Sequence, residues 1–163
     1  MNKLKKALNT LLGILAGGSL ALMTILVTYQ VITRYIFQNP ATWTEELVSY
    51  MFAWSSLLGA SYVFGERGHM NIPVVAQKFK PAGQKALGII GEIILIFFSL
   101  VIMIYGGIRI TNLTMGQMTS SLGTPVGTFY TVMPVAGVLN ILYAIMNIVD
   151  IAKDKVDPFP EDA

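Results

Sequence analysis

The sequence contains no cysteine, which excludes disulfides and thiolate metal centres. It has one histidine, His69. Zinc takes three or four protein ligands, and a haem held between two histidines needs a second one, so no cofactor is expected. Charge is also scarce. Asp, Glu, Lys and Arg make up 12% of the chain, about half the roughly 25% usual in soluble proteins. So little charge cannot cover a water-facing surface. The formal net charge of +2 lacks the clustered basic surface that nucleic-acid binding requires. No nucleophile–base arrangement or phosphate-binding glycine loop is present, so an enzyme is not expected.

What the chain does have is length in its apolar runs. A helix needs about 20 mostly apolar residues to cross a bilayer. Residues 8–32 are nearly all apolar, and no charge lies between Lys6 and Arg34. This run exceeds the roughly 7–15 residues of a signal-peptide core, so it reads as a retained span. Residues 47–65 form the body of a second span, and 86–110 a third, interrupted by Glu92 and Arg109. No charge occurs between Arg109 and Asp150. Residues 111–127 are polar and turn-like, which places the fourth span at about 128–149. The expected fold is all-α and integral to the membrane, with four transmembrane helices in one unit over residues 1–156. Residues 157–163 form an acidic, proline-containing tail expected to be disordered or loosely attached.

Basic residues set orientation in a membrane. Lys3, Lys5 and Lys6 precede the first span. Arg67, Lys78, Lys80 and Lys85 lie between the second and third, and Lys153 and Lys155 follow the fourth. The other two connections have only Arg34 and Arg109. Both termini and the middle loop are therefore expected in the cytoplasm. Within that loop, Ile72, Val74, Val75 and Phe79 interleave with Gln77, Lys78 and Lys80, the pattern of a short amphipathic helix lying in the lipid interface.

Few residues offer chemistry. Asn39-Pro40 signals a turn before the second span. Thr42 or Thr44 is expected to cap that helix, with Glu45 and Glu46 in its first turn, where negative charge suits the helix dipole. Trp43 is placed to anchor at the interface. Arg34, Arg109, Glu45 and Glu46 are expected to form a neutralised cluster near the outer boundary. Glu92 is the deepest acid, seven residues after Lys85 and hence about 10 Å along the same helix face. It is expected to be paired or to touch a partner subunit. Gly13 and Gly17 form a small-xxx-small pair, Ser55 and Gly59 repeat it, and Asn140 and Asn147 lie on a small, polar stripe with Ala136 and Ala144. Such spacing suits close helix packing in lipid.

The stretch around Val31, Arg34, Tyr35 and Phe37, followed by Trp43, Glu45 and Glu46, resembles the small Q-type membrane subunit of tripartite ATP-independent periplasmic (TRAP) transporters. Phe52, Trp54, Gly59, the Gly68-His69 pair of the cytoplasmic loop, Tyr130 and Pro134 continue the resemblance. The chain departs from the pattern at Ala136, where a glycine is expected, and at Asn71 and Pro73, where a more basic stretch is usual. The resemblance implies an accessory subunit of a sodium-driven, binding-protein-dependent transporter in a bacterial inner membrane. Its solute would be an organic acid such as a sialic acid or a C4-dicarboxylate. The expected partners are the lipid bilayer, a separate large multi-span subunit and a periplasmic substrate-binding protein. The docking residues would be Arg34, Trp43, Glu45 and Glu46. Packing, within the chain or against the large subunit, would fall to Gly13, Gly17, Trp54, Gly59, Glu92, Arg109, Asn140 and Asn147. The competing reading is an autonomous four-helix ion-coupled transporter that uses Glu92.

Overall fold

The computed structural model describes residues 3–66 and 79–153. Gly68, His69, most of the expected interfacial helix and the acidic tail lie outside the described residues. Four helices are long and apolar enough to cross a membrane. Helix α1 spans Lys3–Tyr35 and α2 spans Thr42–Gly65. Helix α3 runs from Pro81–Phe98 through a π-helical segment, Ser99–Gly106, into Gly107–Thr114. Helix α4 comprises Val126–Tyr130 and Val132–Ala152, joined through a turn at Thr131. Each helix extends past its apolar run, and α3 continues to Thr114 where a polar turn was expected from residue 111. In lipid, backbone groups must bond within the helix, so the polar ends stay helical until water is reached.

Packing follows the order α1–α2–α4–α3. Among the described residues α1 and α3 share no substantial contact, so the four helices are open on that side. Helix α1 touches its neighbour along a single seam. From Asn9 onward its shielded positions are Asn9, Leu12, Ala16, Ser19, Met23, Leu26, Gln30 and Thr33, spaced alternately by three and four. That is the 3.5-residue repeat of a two-helix coil. Ser19 and Ser55 share a 2.5 Å hydroxyl contact on it. Gly13, Gly17 and Gly59 lie off the contacts, with open space where each side chain would be. Among the described residues no packing through them is seen, and on α1 the heptad seam, rather than the glycine spacing, faces α2.

Helix α4 is the hub. In its central stretch 39% of residues are buried, against 11% in α1. It covers a stripe of α3 formed by Gly88, Glu92, Leu95, Ser99, Met103, Gly107, Thr111 and Thr114, all buried. From Leu95 to Thr111 these steps are all of four residues. An ordinary helix of 3.6 residues per turn would rotate such a stripe by about 40° per step. The π segment closes i→i+5 bonds and holds more residues in each turn, so it keeps the stripe facing α4.

The contact between α3 and α4 is close. A methyl group on Gly137 would lie 2.8 Å from Ile104 Cγ1, 2.9 Å from Met103 Cβ and 3.2 Å from the Ser99 carbonyl oxygen. One on Gly107 would meet Pro134 Cδ at 2.8 Å. The small residue at this seam is thus Gly137 rather than position 136, where Ala136 is itself fully buried. Overpacking a close seam costs about 1–3 kcal/mol. Gly137→Leu is therefore expected to lower the melting temperature of the detergent-purified chain. Gly13→Leu, at an open position, is expected to leave it unchanged, and a thermal unfolding series on the two variants tests the contrast.

Candidate docking face and the polar ties that hold it

The end of the bundle opposite the termini is built from the α1–α2 connection, the first turns of α2 and the loop between α3 and α4. Residue Gln38, in the connection, has a positive φ of 52°, and its neighbour Asn39 donates its N–H back to the Thr33 carbonyl at 3.0 Å. Ala41, rather than Thr42 or Thr44, occupies the cap position of α2. The Thr44 hydroxyl instead donates to the Ala41 carbonyl at 2.6 Å. A residue already inside the helix points its hydroxyl back along the chain, so it cannot cap the free N–H groups. Trp43 is partly exposed, its ring 6.3 Å from that of Tyr29.

The α3–α4 loop closes on itself. Thr119 N–H donates to the Thr124 carbonyl (2.9 Å) and Val126 N–H to the Gln117 carbonyl (2.8 Å). Met118 and Pro125 pair as an isolated antiparallel bridge, and Gly123 supplies the positive φ, 64°, that such a tight reversal needs. The tip of this loop points three successive backbone N–H groups at one carboxylate. Ser120, Ser121 and Leu122 donate to Glu46 at 3.1, 2.8 and 3.0 Å. Consecutive N–H groups of this kind form an anion-binding concavity, and Glu46 occupies it. Below this tie, Tyr50 stacks on Phe129 with centroids 3.8 Å apart. Trp54 Nε1 donates to the Phe129 carbonyl at 3.0 Å. Helix α2 therefore fixes both the loop and the start of α4.

The expected cluster of four charges does not form. Among the described residues no ion pair links Arg34 or Arg109 to Glu45 or Glu46. Arg34, Arg109 and Glu45 are exposed, and the Arg34 guanidinium lies 6.0 Å from the Tyr35 ring. The reason is that the loop N–H groups, already positioned by the backbone, claim Glu46. Arg34, Trp43 and Glu45 are left as side chains open to the surroundings. Glu45 also lines a groove at this end, with Thr42, Glu46, Ser49, Tyr50, Ser120 and Ser121.

A second polar group ties the opposite end, where the first turns of α1 meet the last turns of α4. Lys5 Nζ donates to Asn147 Oδ1 at 2.9 Å, and Asn147 Nδ2 donates to the Phe64 carbonyl at 3.4 Å. The buried Tyr143 hydroxyl donates to Asn9 Oδ1 at 2.6 Å, and Asn9 Nδ2 donates to the Glu66 carboxylate. The tyrosine ring lies so close to Gly65 that a methyl there would sit 2.6 Å from it. This network joins α1, α2 and α4. Glu92 is buried on α3, and the antiparallel register set at Gly107 and Gly137 puts it at the level of this end. Asn140, nearer the middle, donates its amide to Met103 Sδ at 3.3 Å. Sequence reasoning singled out Asn147, Asn140 and Trp54 but missed Asn9, Tyr143 and the three loop N–H groups. Asparagine and tyrosine within apolar helices were an available signal, whereas backbone N–H geometry leaves none.

Among the described residues no group of His, Asp or Glu could hold a metal ion. The geometry thus defines a class: a multi-pass membrane protein whose polar side chains tie helices and a loop together. The family model of tripartite ATP-independent periplasmic transporters, DctQ component, matches residues 23–154, and the chain belongs to that family. It is a small permease subunit of a tripartite transporter. It is 33% identical over 139 residues to a TRAP transporter small permease protein of Haemophilus influenzae, covering 85% of this chain and 86% of that one. Similarity to the sialic acid TRAP transporter small permease protein SiaQ of Vibrio cholerae is 25% over 87 residues, or 53% of this chain and 50% of the relative. The sialic acid TRAP transporter permease protein SiaT of H. influenzae is 29% identical over 98 residues, 59% of this chain but 16% of that longer protein.

A hydrogen bond to a charged acceptor contributes about 1.5–3 kcal/mol, less where water competes. Glu46→Ala is therefore expected to speed amide hydrogen exchange at Ser120, Ser121 and Leu122 by about tenfold or more. Exchange in the core of α4 should stay unchanged, and exchange mass spectrometry reads both.

Proposed function

We propose that this chain is a fixed brace for the large subunit of a sodium-driven TRAP transporter of organic acids, and that its loop end helps to dock the periplasmic binding protein. The observation that carries the reading is the open row of helices: among the described residues α1 and α3 share no substantial contact, so the four helices do not close there around a lumen of their own. A transporter that slides one domain against another needs a broad static frame, and an open, apolar row widens such a frame. The SiaT similarity supports a large membrane partner, since a stretch resembling this chain lies inside a much longer permease. Sialic acid in the names of two relatives supports an organic acid as the solute.

Orientation follows from the basic residues. Lys3, Lys5, Lys6 and Lys153 all lie at the termini end, which the charge bias assigns to the cytoplasm of a bacterial inner membrane. The absence of cysteine makes this easy to test. A single cysteine at Ser121 should react with a membrane-impermeant maleimide in intact spheroplasts. One at Lys153 should react only after permeabilisation, and the reverse pattern would refute the orientation.

In docking, Arg34, Trp43 and Glu45 would meet the binding protein directly. Glu46 would act through the loop it holds. Charges at the rim of an interface mainly alter association rate and salt dependence. The double reversal Arg34→Glu with Glu45→Lys should weaken binding-protein affinity for the purified membrane complex by about tenfold at low salt, and less as salt screens the charges. Co-purification of the large subunit should be unaffected. Unchanged affinity and transport at normal expression would refute the docking role. Solute uptake by this chain alone in liposomes would refute the brace.

A further inference from the structure

We propose that the α3–α4 seam binds a structural water molecule between Ser99 and Asn140, in the middle of the membrane-spanning region. Both side chains are almost wholly shielded, Ser99 at 0% and Asn140 at 2% exposure. Among the described residues, neither Ser99 Oγ nor Asn140 Oδ1 has a hydrogen-bond partner. The register brings them together. Gly137 lies against the Ser99 carbonyl and Met103 Cβ, and the Asn140 amide meets Met103 Sδ. In these antiparallel helices, one turn from Gly137 along α4 reaches Asn140, and one turn from Met103 along α3 reaches Ser99. Both steps lead toward the termini end. The two unmatched oxygens thus share one level of one seam but do not bond each other, so the gap between them exceeds a direct hydrogen bond.

One water fits that chemistry. It would accept from the Ser99 hydroxyl and donate to Asn140 Oδ1 and to the Ser99 carbonyl, giving the two to four bonds that characterise buried waters. Polar groups left unmatched in hydrocarbon are costly, and lipid supplies neither donor nor acceptor. The site lies in the π segment, Ser99–Gly106. Insertions of a water into a helix ladder and π turns are both recognised ways of departing from α geometry.

Radiolytic hydroxyl labelling of the full chain, read by mass spectrometry, tests this, because radicals form from the bound water itself. Met103 and Met23 are equally shielded, at 6% and 7% exposure. Only Met103 adjoins the proposed site, while Met118, exposed at 64%, reports that labelling worked. Met103 should gain oxygen several-fold faster than Met23. The double variant Ser99→Ala with Asn140→Leu removes both orphan groups together and should bring Met103 down to the rate of Met23. A dry seam would be shown by Met103 labelling no faster than Met23 in the unmodified chain. Fast labelling that persists in the double variant would place the water elsewhere. Either result overturns the assignment.

Discussion

Apolar side chains gain little by leaving lipid tails for one another, so helices in a membrane associate through close contact. In this protein that constraint is concentrated where α3 and α4 meet. At Gly107 and Gly137 a methyl group would fall within 3 Å of the facing helix, and at Gly127 it would fall 2.5 Å from the Thr111 carbonyl oxygen. The three glycines are spread along the seam from the loop end to the middle of the span. The π segment belongs to the same device. It holds the steps of four residues on one face, which a regular α-helix would carry round to the lipid. The rest is assembled outward from this pair, with α2 on another face of α4 and α1 on α2.

The two ends are fastened by polar groups as well as by packing. At one end the Glu46 carboxylate gathers three loop N–H groups. At the other, Lys5, Asn9, Tyr143 and Asn147 join the termini and reach the end of α2. Interhelical hydrogen bonds within membranes average about 0.6 kcal/mol each. These ties are therefore better understood as setting register and direction than as supplying most of the stability. Helix α1 follows the same logic. One heptad seam holds it to α2, Lys5 and Asn9 hold its first turns to α4, and most of its surface is left for lipid or for another protein.

For a small permease subunit the arrangement divides labour along the membrane normal. The α3–α4 core gives rigidity, and the α1–α2 pair adds apolar width. The loop end carries a tip whose shape is set internally by Glu46, while Arg34, Trp43 and Glu45 remain available. In the docking role proposed above, such a tip would lower the order that must be imposed on binding.

The family, the helical class and the number of spans were legible in the sequence, because spanning a bilayer imposes a length and a polarity on each segment independently of its neighbours. Lys5, Arg34 and Glu92 could be placed near particular helix ends or depths for the same reason. The pairing of those groups was not legible. Four charges at one level suggested mutual neutralisation, yet Glu46 bonds to backbone N–H groups, which are identical in every residue and give no signal until a loop folds. Gly13 and Gly17 carried the familiar packing spacing but face outward, whereas Gly107, Gly127 and Gly137 make the close contacts of the α3–α4 seam. Periodicity and charge thus determined what each helix is and where it crosses. Which faces meet was decided only by the tertiary structure, since rotation about a helix axis depends on the surface of the neighbour.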